Sequence, residues 1–386
     1  VSPPGRPKGE HRSAQHGGDP VTARPTGRTK ATGRAAPASR PAPALAGFSE
    51  RVVRWQRTHG RNALPWQNTR DPYRVWLSEI MLQQTQVAAV LGYYERFLQR
   101  FPDVQALAAA PLDDVLALWS GLGYYSRARN LHRCAQDVVA LHGGAFPRTA
   151  AVLATLPGIG PSTAAAISSF CFGERAAILD GNVKRVLTRV LGFDDDLALA
   201  ANERRLWEHA RELLPTHELH ENMPRYTQGV MDLGATVCLP RNPSCLICPA
   251  QPDCAAARQG RPEAFPVKTR KLKRSAESLW LLHAQAGDGS VWLQKRPTPG
   301  VWAGLYCLPV FASRDALEDA LPPTARRRLR EIEPFVHVLT HKDLHLHPVQ
   351  AVVTSDWGAG EGKWFSASEW PALGLPAPVR RFLERV

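Results

Sequence analysis

Four residues, Pro157-Gly158-Ile159-Gly160, are all that separate an apolar helical run ending near Leu156 from a small-residue run opening at Pro161. A connection this short folds two helices into a tight hairpin and leaves few architectures open. Gly158 and Gly160 carry no side chain and can take positive φ. The N–H groups of the turn and of the new helix's first residues then point outward as a nest that suits an anion. An ordinary helix–helix connection, with Leu156 and Ile159 simply packing beneath it, fits the same residues.

Charge narrows the anion. The 386 residues carry a formal net charge of +13, which favours a polyanionic partner, nucleic acid or an anionic membrane. Residues 1–46 hold eight Lys and Arg against two acids, so about +6 sits in a Pro-, Gly- and Arg-rich tail expected to be disordered. No apolar run is long enough to span a membrane and none resembles a secretion signal, so a cytoplasmic, nucleoid-associated protein is expected. Four of the seven cysteines, Cys238, Cys245, Cys248 and Cys254, crowd together. Without a secretion signal they read as a metal site rather than as disulfides. Four thiolates suit either zinc or [4Fe–4S], and only Cys245 and Cys248 form the C-x2-C knuckle usual in zinc ribbons.

Residues 47–258 read as helical. The run 71–98, "DPYRVWLSEIMLQQTQVAAVLGYYERFL", reads as a helix opening on the cap Asp71 with Pro72 at its first position. Further helices are expected over "PLDDVLALW", "YYSRARNLHRCAQDVVALHGG" and "NERRLWEHARELLP", with stops at Gly143-Gly144 and Gly173. Residues 259–275 are a polar, basic linker. From 276 to 386 the pattern turns to strands with short helices at 314–321 and 378–385, a second, α+β domain.

Together these motifs resemble a known family. "LPGIGPSTAAAI" is similar to the helix–hairpin–helix of base-excision DNA glycosylases. "AAILDGNVKRVLTR" follows it with Asp180 at a helix entrance, and then comes C-x6-C-x2-C-x5-C. That order is the pattern of the endonuclease III superfamily, whose cysteines carry a [4Fe–4S] cluster. "NALPWQNTRDPYRVWLSEIMLQQTQV" and "LWSGLGYYSRARNLH" resemble the adenine DNA glycosylase family, over about residues 47–386. The resemblance implies a mainly α helix–hairpin–helix domain with an iron–sulfur loop and a C-terminal Nudix-like domain. It implies excision of adenine mispaired with 8-oxoguanine or guanine in double-stranded DNA, by a monomer.

The resemblance also assigns roles. Glu79, flanked by Trp76, Leu77, Ile80, Met81 and Leu82, is the proton donor to adenine N7, since apolar neighbours raise a carboxyl pKa. Asp180 shields the oxocarbenium-like sugar. Asn182 positions the water or the second carboxylate, and Ser162 stands near the acid. Leu64, Trp66 and Gln228 form the adenine pocket. Gln84 and Tyr124 insert into DNA near 8-oxoguanine, and Gly158 and Gly160 hold a phosphate. From the residues alone, Glu79 reads as a solvent-facing helix glutamate, Asp180 as an N-cap and Trp66 as core. Lyase relatives carry a lysine where this chain has Ser162, which implies a monofunctional hydrolase. In the second domain, "ASRDALEDALPP" lacks the R-E-x2-E-E pattern of Nudix catalysts, which implies recognition without hydrolysis. Thr340 and His341 match the Ser-His of a Phe-Ser-His loop that reads 8-oxoguanine, with Leu339 in place of the aromatic. A thymine or uracil glycosylase and a non-catalytic iron–sulfur DNA-binding protein are the competing readings. The Thr-His loop opposes the first, and the pair Glu79 and Asp180 opposes the second.

Overall fold

The computed structural model describes Leu45 and residues 47–269 and 273–386. Apart from Leu45, the basic tail 1–46 lies outside the described residues.

Eleven helices build the first part: α1 (Phe48–His59), α2 (Pro72–Leu82), α3 (Val87–Arg100), α4 (Val104–Ala109), α5 (Leu112–Trp119), α6 (Ser126–His142), α7 (Ala150–Leu153), α8 (Pro161–Phe172), α9 (Gly181–Leu191), α10 (Ala200–Glu212) and α11 (Leu219–Thr236). Local chemistry sets their ends. Asp71 caps α2 by accepting from the Tyr73 N–H at 2.9 Å, with Pro72 next to it. Gly143 and Gly173 close α6 and α8 in the left-handed region, as expected.

Two expectations fail. The run 71–98 is two helices, broken at Gln83–Gln86, where Gln84 takes φ +57°. The apolar spacing continues across the break and so conceals it. The helix before the glycine turn ends at Leu153, and looser turns carry the chain to Gly158. Only Gly158 has positive φ (+76°), and a Cβ there would lie 2.8 Å from Asn130 Cβ. Gly160 is extended, with φ −81° and ψ 169° as the N-cap of α8, and nothing lies within 4 Å of where its Cβ would be.

The second part is one mixed sheet. β1 (Ser275–Gln285) runs parallel to β7 (Lys342–Val352) from the pair Ser275–Lys342 to Gln285–Val352. β2 (Val291–Lys295) joins β1 through the expected Gly-Asp-Gly turn, and β3 (Tyr306–Cys307) and β8 (Gly362–Phe365) flank β2. β4 (Val310–Phe311) pairs with β1, and β5 (Arg330–Glu331) and β6 (Phe335–Val338) pair with β7. Three further short helices are α12 (Ala255–Arg258), α13 (Arg314–Asp319) and α14 (Pro323–Arg326), and α15 (Ala377–Leu383) closes the chain.

The helical and mixed parts form one compact unit with a continuous apolar core. The Leu375 carbonyl accepts from Ser120 Oγ at 2.9 Å and Tyr125 Oη at 3.1 Å, and Arg129 donates to the Ala303 carbonyl at 2.7 Å. Phe265 is buried against the α9–α11 side. No helix among the described residues is long and apolar enough to cross a membrane.

Candidate active site

α2 packs on α8, and α8 and α9 both pack on α11. This stack brings residues from distant parts of the sequence to one cleft of about 930 Å³. Leu64, Trp66, Glu79, Gln84, Ser162, Asp180, Asn182 and Gln228 all line it.

Glu79 faces the cleft from a mostly apolar helix: Trp76, Leu77, Ile80 and Met81 around it are buried. No hydrogen bond reaches its carboxyl among the described residues. Burial first, and the nearby Asp180 charge second, push it up to about 8. Glu79 therefore holds its proton at neutrality. Asp180 sits at the N-terminus of α9, where Oδ1 accepts from the Val183 N–H at 2.8 Å. The N-cap role read from the sequence is thus present, and it fixes the carboxylate in the cleft wall. Ser162 Oγ accepts from the Leu179 N–H at 3.0 Å, so its hydroxyl anchors the backbone that delivers Asp180. Asn182 Oδ1 accepts from Arg185 at 2.8 Å, and Arg185 also donates to the Gly234 and Cys238 carbonyls. A side chain at Gly234 would collide with Asn182 Cβ at 2.7 Å, so the glycine lets α9 and α11 close on each other here.

Gln228 reveals a residue that the sequence did not flag. The Asp232 carboxylate is completely buried, one turn further along α11. It accepts from Gln228 Nε2 (2.9 Å), Arg61 Nε (2.6 Å) and the Arg61 N–H (2.9 Å). This fixes the Gln228 amide and, among the described residues, leaves its oxygen and one N–H free. The i,i+4 spacing of Gln228 and Asp232 was the available signal. Trp66 is both core and wall: it is buried edge-on to Tyr94 at 5.3 Å and lines the cleft.

Tyr124, Thr340 and His341 do not line this cleft. Tyr124 is exposed, at φ +49°. Its hydroxyl shares a 2.5 Å hydrogen bond with Thr340 Oγ1, in the three-residue turn between β6 and β7. His341 is exposed in the same turn, and Leu339 packs against the core. Buried Arg127 ties this cluster to the cleft, and sequence reasoning missed it as well. It donates to the Ile80 and Met81 carbonyls (2.9 Å each), to Thr85 Oγ1 (3.0 Å) and to the Leu122 and Gly123 carbonyls. One guanidinium thus holds the end of α2, the Gln84 loop and the Tyr124 loop.

The four clustered cysteines surround one small cavity behind α9 and α11. Among the described residues no three Cys, His, Asp or Glu side chains converge as they would on a single metal ion. Arg189 donates to Cys238 Sγ at 3.3 Å, and burial pushes the Cys248 thiol up to about 12.

Residues 77–212 match the model of the HhH-GPD superfamily of base excision DNA repair proteins, and 280–385 match the NUDIX domain. An adenine DNA glycosylase of Buchnera aphidicola from Acyrthosiphon pisum is 36% identical over 346 residues, 87% of this chain and 97% of the relative. That of Mus musculus is 42% identical over 356 residues, 76% of this chain and 68% of the relative. A solved thermostable thymine-DNA glycosylase is 28% identical with a TM-score of 0.49, covering 56% of this chain and 97% of that one. Identity spread over nearly a whole relative, with both domain models matched, leads to one conclusion: the chain belongs to the adenine DNA glycosylase family, hydrolases of N-glycosyl bonds in base excision repair.

Proposed function

We propose that the enzyme removes adenine opposite 8-oxoguanine or guanine in double-stranded DNA, by hydrolysis and without a lyase step. The observation that carries this is a glutamate whose pKa burial raises and a capping aspartate in one cleft large enough for a nucleobase. The adenine leaves the base stack, at a cost of a few kcal/mol, and enters against Trp66, Leu64 and the oriented Gln228 amide. Glu79 gives its proton to N7, so the base departs neutral and the positive charge stays on the sugar. Asp180 stabilises that charge. Water adds at C1′ and its proton returns to the Glu79 carboxylate, which resets the acid. Asn182, held by Arg185, orients the water or Asp180. Ser162 positions Asp180 through Leu179.

The absence of a lyase step is supported by the cleft lining: among the described residues it contains arginines and no lysine. The nearby Lys184 is paired with Glu203 at 2.7 Å. Tyr124, Thr340 and His341 are the proposed readers of 8-oxoguanine, and Gly158 and Gly160 the proposed phosphate site. Cys238, Cys245, Cys248 and Cys254 fit a [4Fe–4S] cluster better than one ion, because their thiols ring a cavity rather than a point. Such a cluster supplies a structural anchor, and Arg189 is placed to offset its thiolate charge.

The test is an excision assay on duplexes with adenine opposite 8-oxoguanine, guanine or thymine, each split into samples with and without alkali. Free adenine is expected from the first two, with strand breaks only after alkali. Breaks of equal extent without alkali, or release of another base, refute the reading.

A further inference from the structure

Gln228 lines the cleft together with Glu79 and Trp66. The two ends of an amide have nearly the same shape, so a half-turn about the last bond exchanges an acceptor for a donor. What the neighbours accept or donate decides which end lies where. For Gln228 that neighbour is Asp232, one turn along α11 and completely buried. Asp232 Oδ1 accepts from Gln228 Nε2 at 2.9 Å and from Arg61 Nε at 2.6 Å, while Oδ2 accepts from the Arg61 N–H at 2.9 Å. A carboxylate paired with a guanidinium accepts hydrogen bonds and donates none. Turning the amide over would set its oxygen against the carboxylate oxygen, acceptor against acceptor, in a place closed to water. The amide is therefore locked with its nitrogen toward Asp232, and it offers the cleft one order of donor and acceptor.

Purines differ in that order. Adenine carries an amino group at position 6, a donor. Guanine and hypoxanthine carry an oxygen there, an acceptor, and on N1 they carry a hydrogen where adenine has a lone pair. A free amide could meet either kind of base by turning over. A locked amide that matches adenine, the base of this family, mismatches the 6-oxo bases. We propose that Asp232 is a specificity-determining positioning residue: by holding the Gln228 amide one way up, it lets the cleft take a 6-aminopurine and refuse a 6-oxopurine. This inference rests on the adenine pocket proposed above.

The test is single-turnover excision by the full chain from duplexes holding adenine or hypoxanthine opposite 8-oxoguanine. The readout is the ratio of the two rates, adenine over hypoxanthine, compared with that of wild type, so that intrinsic differences between the leaving bases cancel. Asp232→Asn keeps the shape and an acceptor for Arg61, but its amide can accept or donate and so supports Gln228 either way up. It should lower the ratio by about tenfold. Gln228→Met keeps the length without the polarity and should also lower the ratio. In the Gln228→Met background, Asp232→Asn should change the ratio no further. Should Asp232→Asn not fold, Asp232→Asn combined with Arg61→Gln, which leaves neither charge of the pair alone, takes its place with the same expectation. The proposal is overturned if the Asp232 variant slows both bases equally, the mark of a merely structural role. It is also overturned if that variant lowers the ratio as much in the Gln228→Met background, since Asp232 would then act by another route. A ratio unmoved by Gln228→Met removes Gln228 from the adenine pocket, and the proposal falls with it. Failure of wild type to release any adenine removes the catalytic reading on which both stand.

Discussion

Glu79 is costly to the fold and suited to the proposed chemistry for the same reason. Its carboxyl is raised from an ordinary 4.5 to about 8 by burial beside Asp180. Between those two values the folded chain keeps the proton while the unfolded chain releases it. Native stability therefore falls as pH rises from about 4.5 to about 8, and does not fall further from this group above that. Glu79→Gln removes the penalty. Its melting temperature should exceed that of wild type at pH 8, and the difference should vanish near pH 4, as differential scanning fluorimetry would read. The same variant should lose at least about a hundredfold in single-turnover excision while still binding DNA. For wild type, kcat/KM should fall about tenfold per pH unit above the Glu79 value, because only the protonated acid serves. A flat profile to pH 10, or an active Glu79→Gln enzyme, removes Glu79 from the donor role. Its apolar flanks are compatible with a raised pKa, but from the residues alone a solvent-facing glutamate is the favoured reading, and only the family resemblance singles Glu79 out. The coupling to Asp180 was not legible from spacing, because it depends on α2 and α9 being brought together through α8 and α11. Asp232 and Arg127 were hidden for a related reason: each is an unremarkable charge on a helix until the fold buries it among its partners.

At the scale of elements, what the sequence showed best was local chemistry. Asp71-Pro72 and Gly173 mark helix ends through groups only a few residues apart, and the ends fall there. What it showed worst was the break at Gln83–Gln86, because apolar spacing persists across it. The break itself shapes the cleft. It turns Gln84 out as an exposed side chain in the left-handed region, which costs a non-glycine residue roughly 1–2 kcal/mol. The family resemblance assigns Gln84 to contact with DNA, and a strained residue whose side chain makes no hydrogen bond among the described residues agrees with that role. Gln84→Gly should therefore act in opposite directions on two measurements. Chemical denaturation should show stability raised by about 1 kcal/mol, as relief of backbone strain requires. Affinity for the mispaired duplex should fall. If stability and affinity fall together, Gln84 is a structural residue and the conformation has another cause.

At the scale of the molecule, the question is whether lesion reading and base excision are one event or two. The turn carrying Thr340 is not a free arm. Arg274 donates to the Thr340 carbonyl at 2.8 Å and pairs with Asp343, while Thr340 Oγ1 bonds Tyr124 on the helical part. Tyr124 in turn sits 5.5 Å from the Arg127 guanidinium, and Arg127 holds the end of the helix that carries Glu79. A continuous chain of contacts thus runs from the β6–β7 turn to the acid. Such a chain is a route for coupling only if its members act non-additively. Tyr124→Phe and Thr340→Val each delete one side of the inter-domain hydrogen bond and keep shape and apolar contact. The readout is the ratio of single-turnover excision opposite 8-oxoguanine to that opposite guanine. If the bond transmits the reading, either variant alone should lower the ratio by about fivefold, the value of roughly one hydrogen bond, and the double variant should lower it no further. If instead the two losses multiply, tyrosine and threonine contact the lesion independently. The second domain would then contribute affinity for the damaged base without governing the acid.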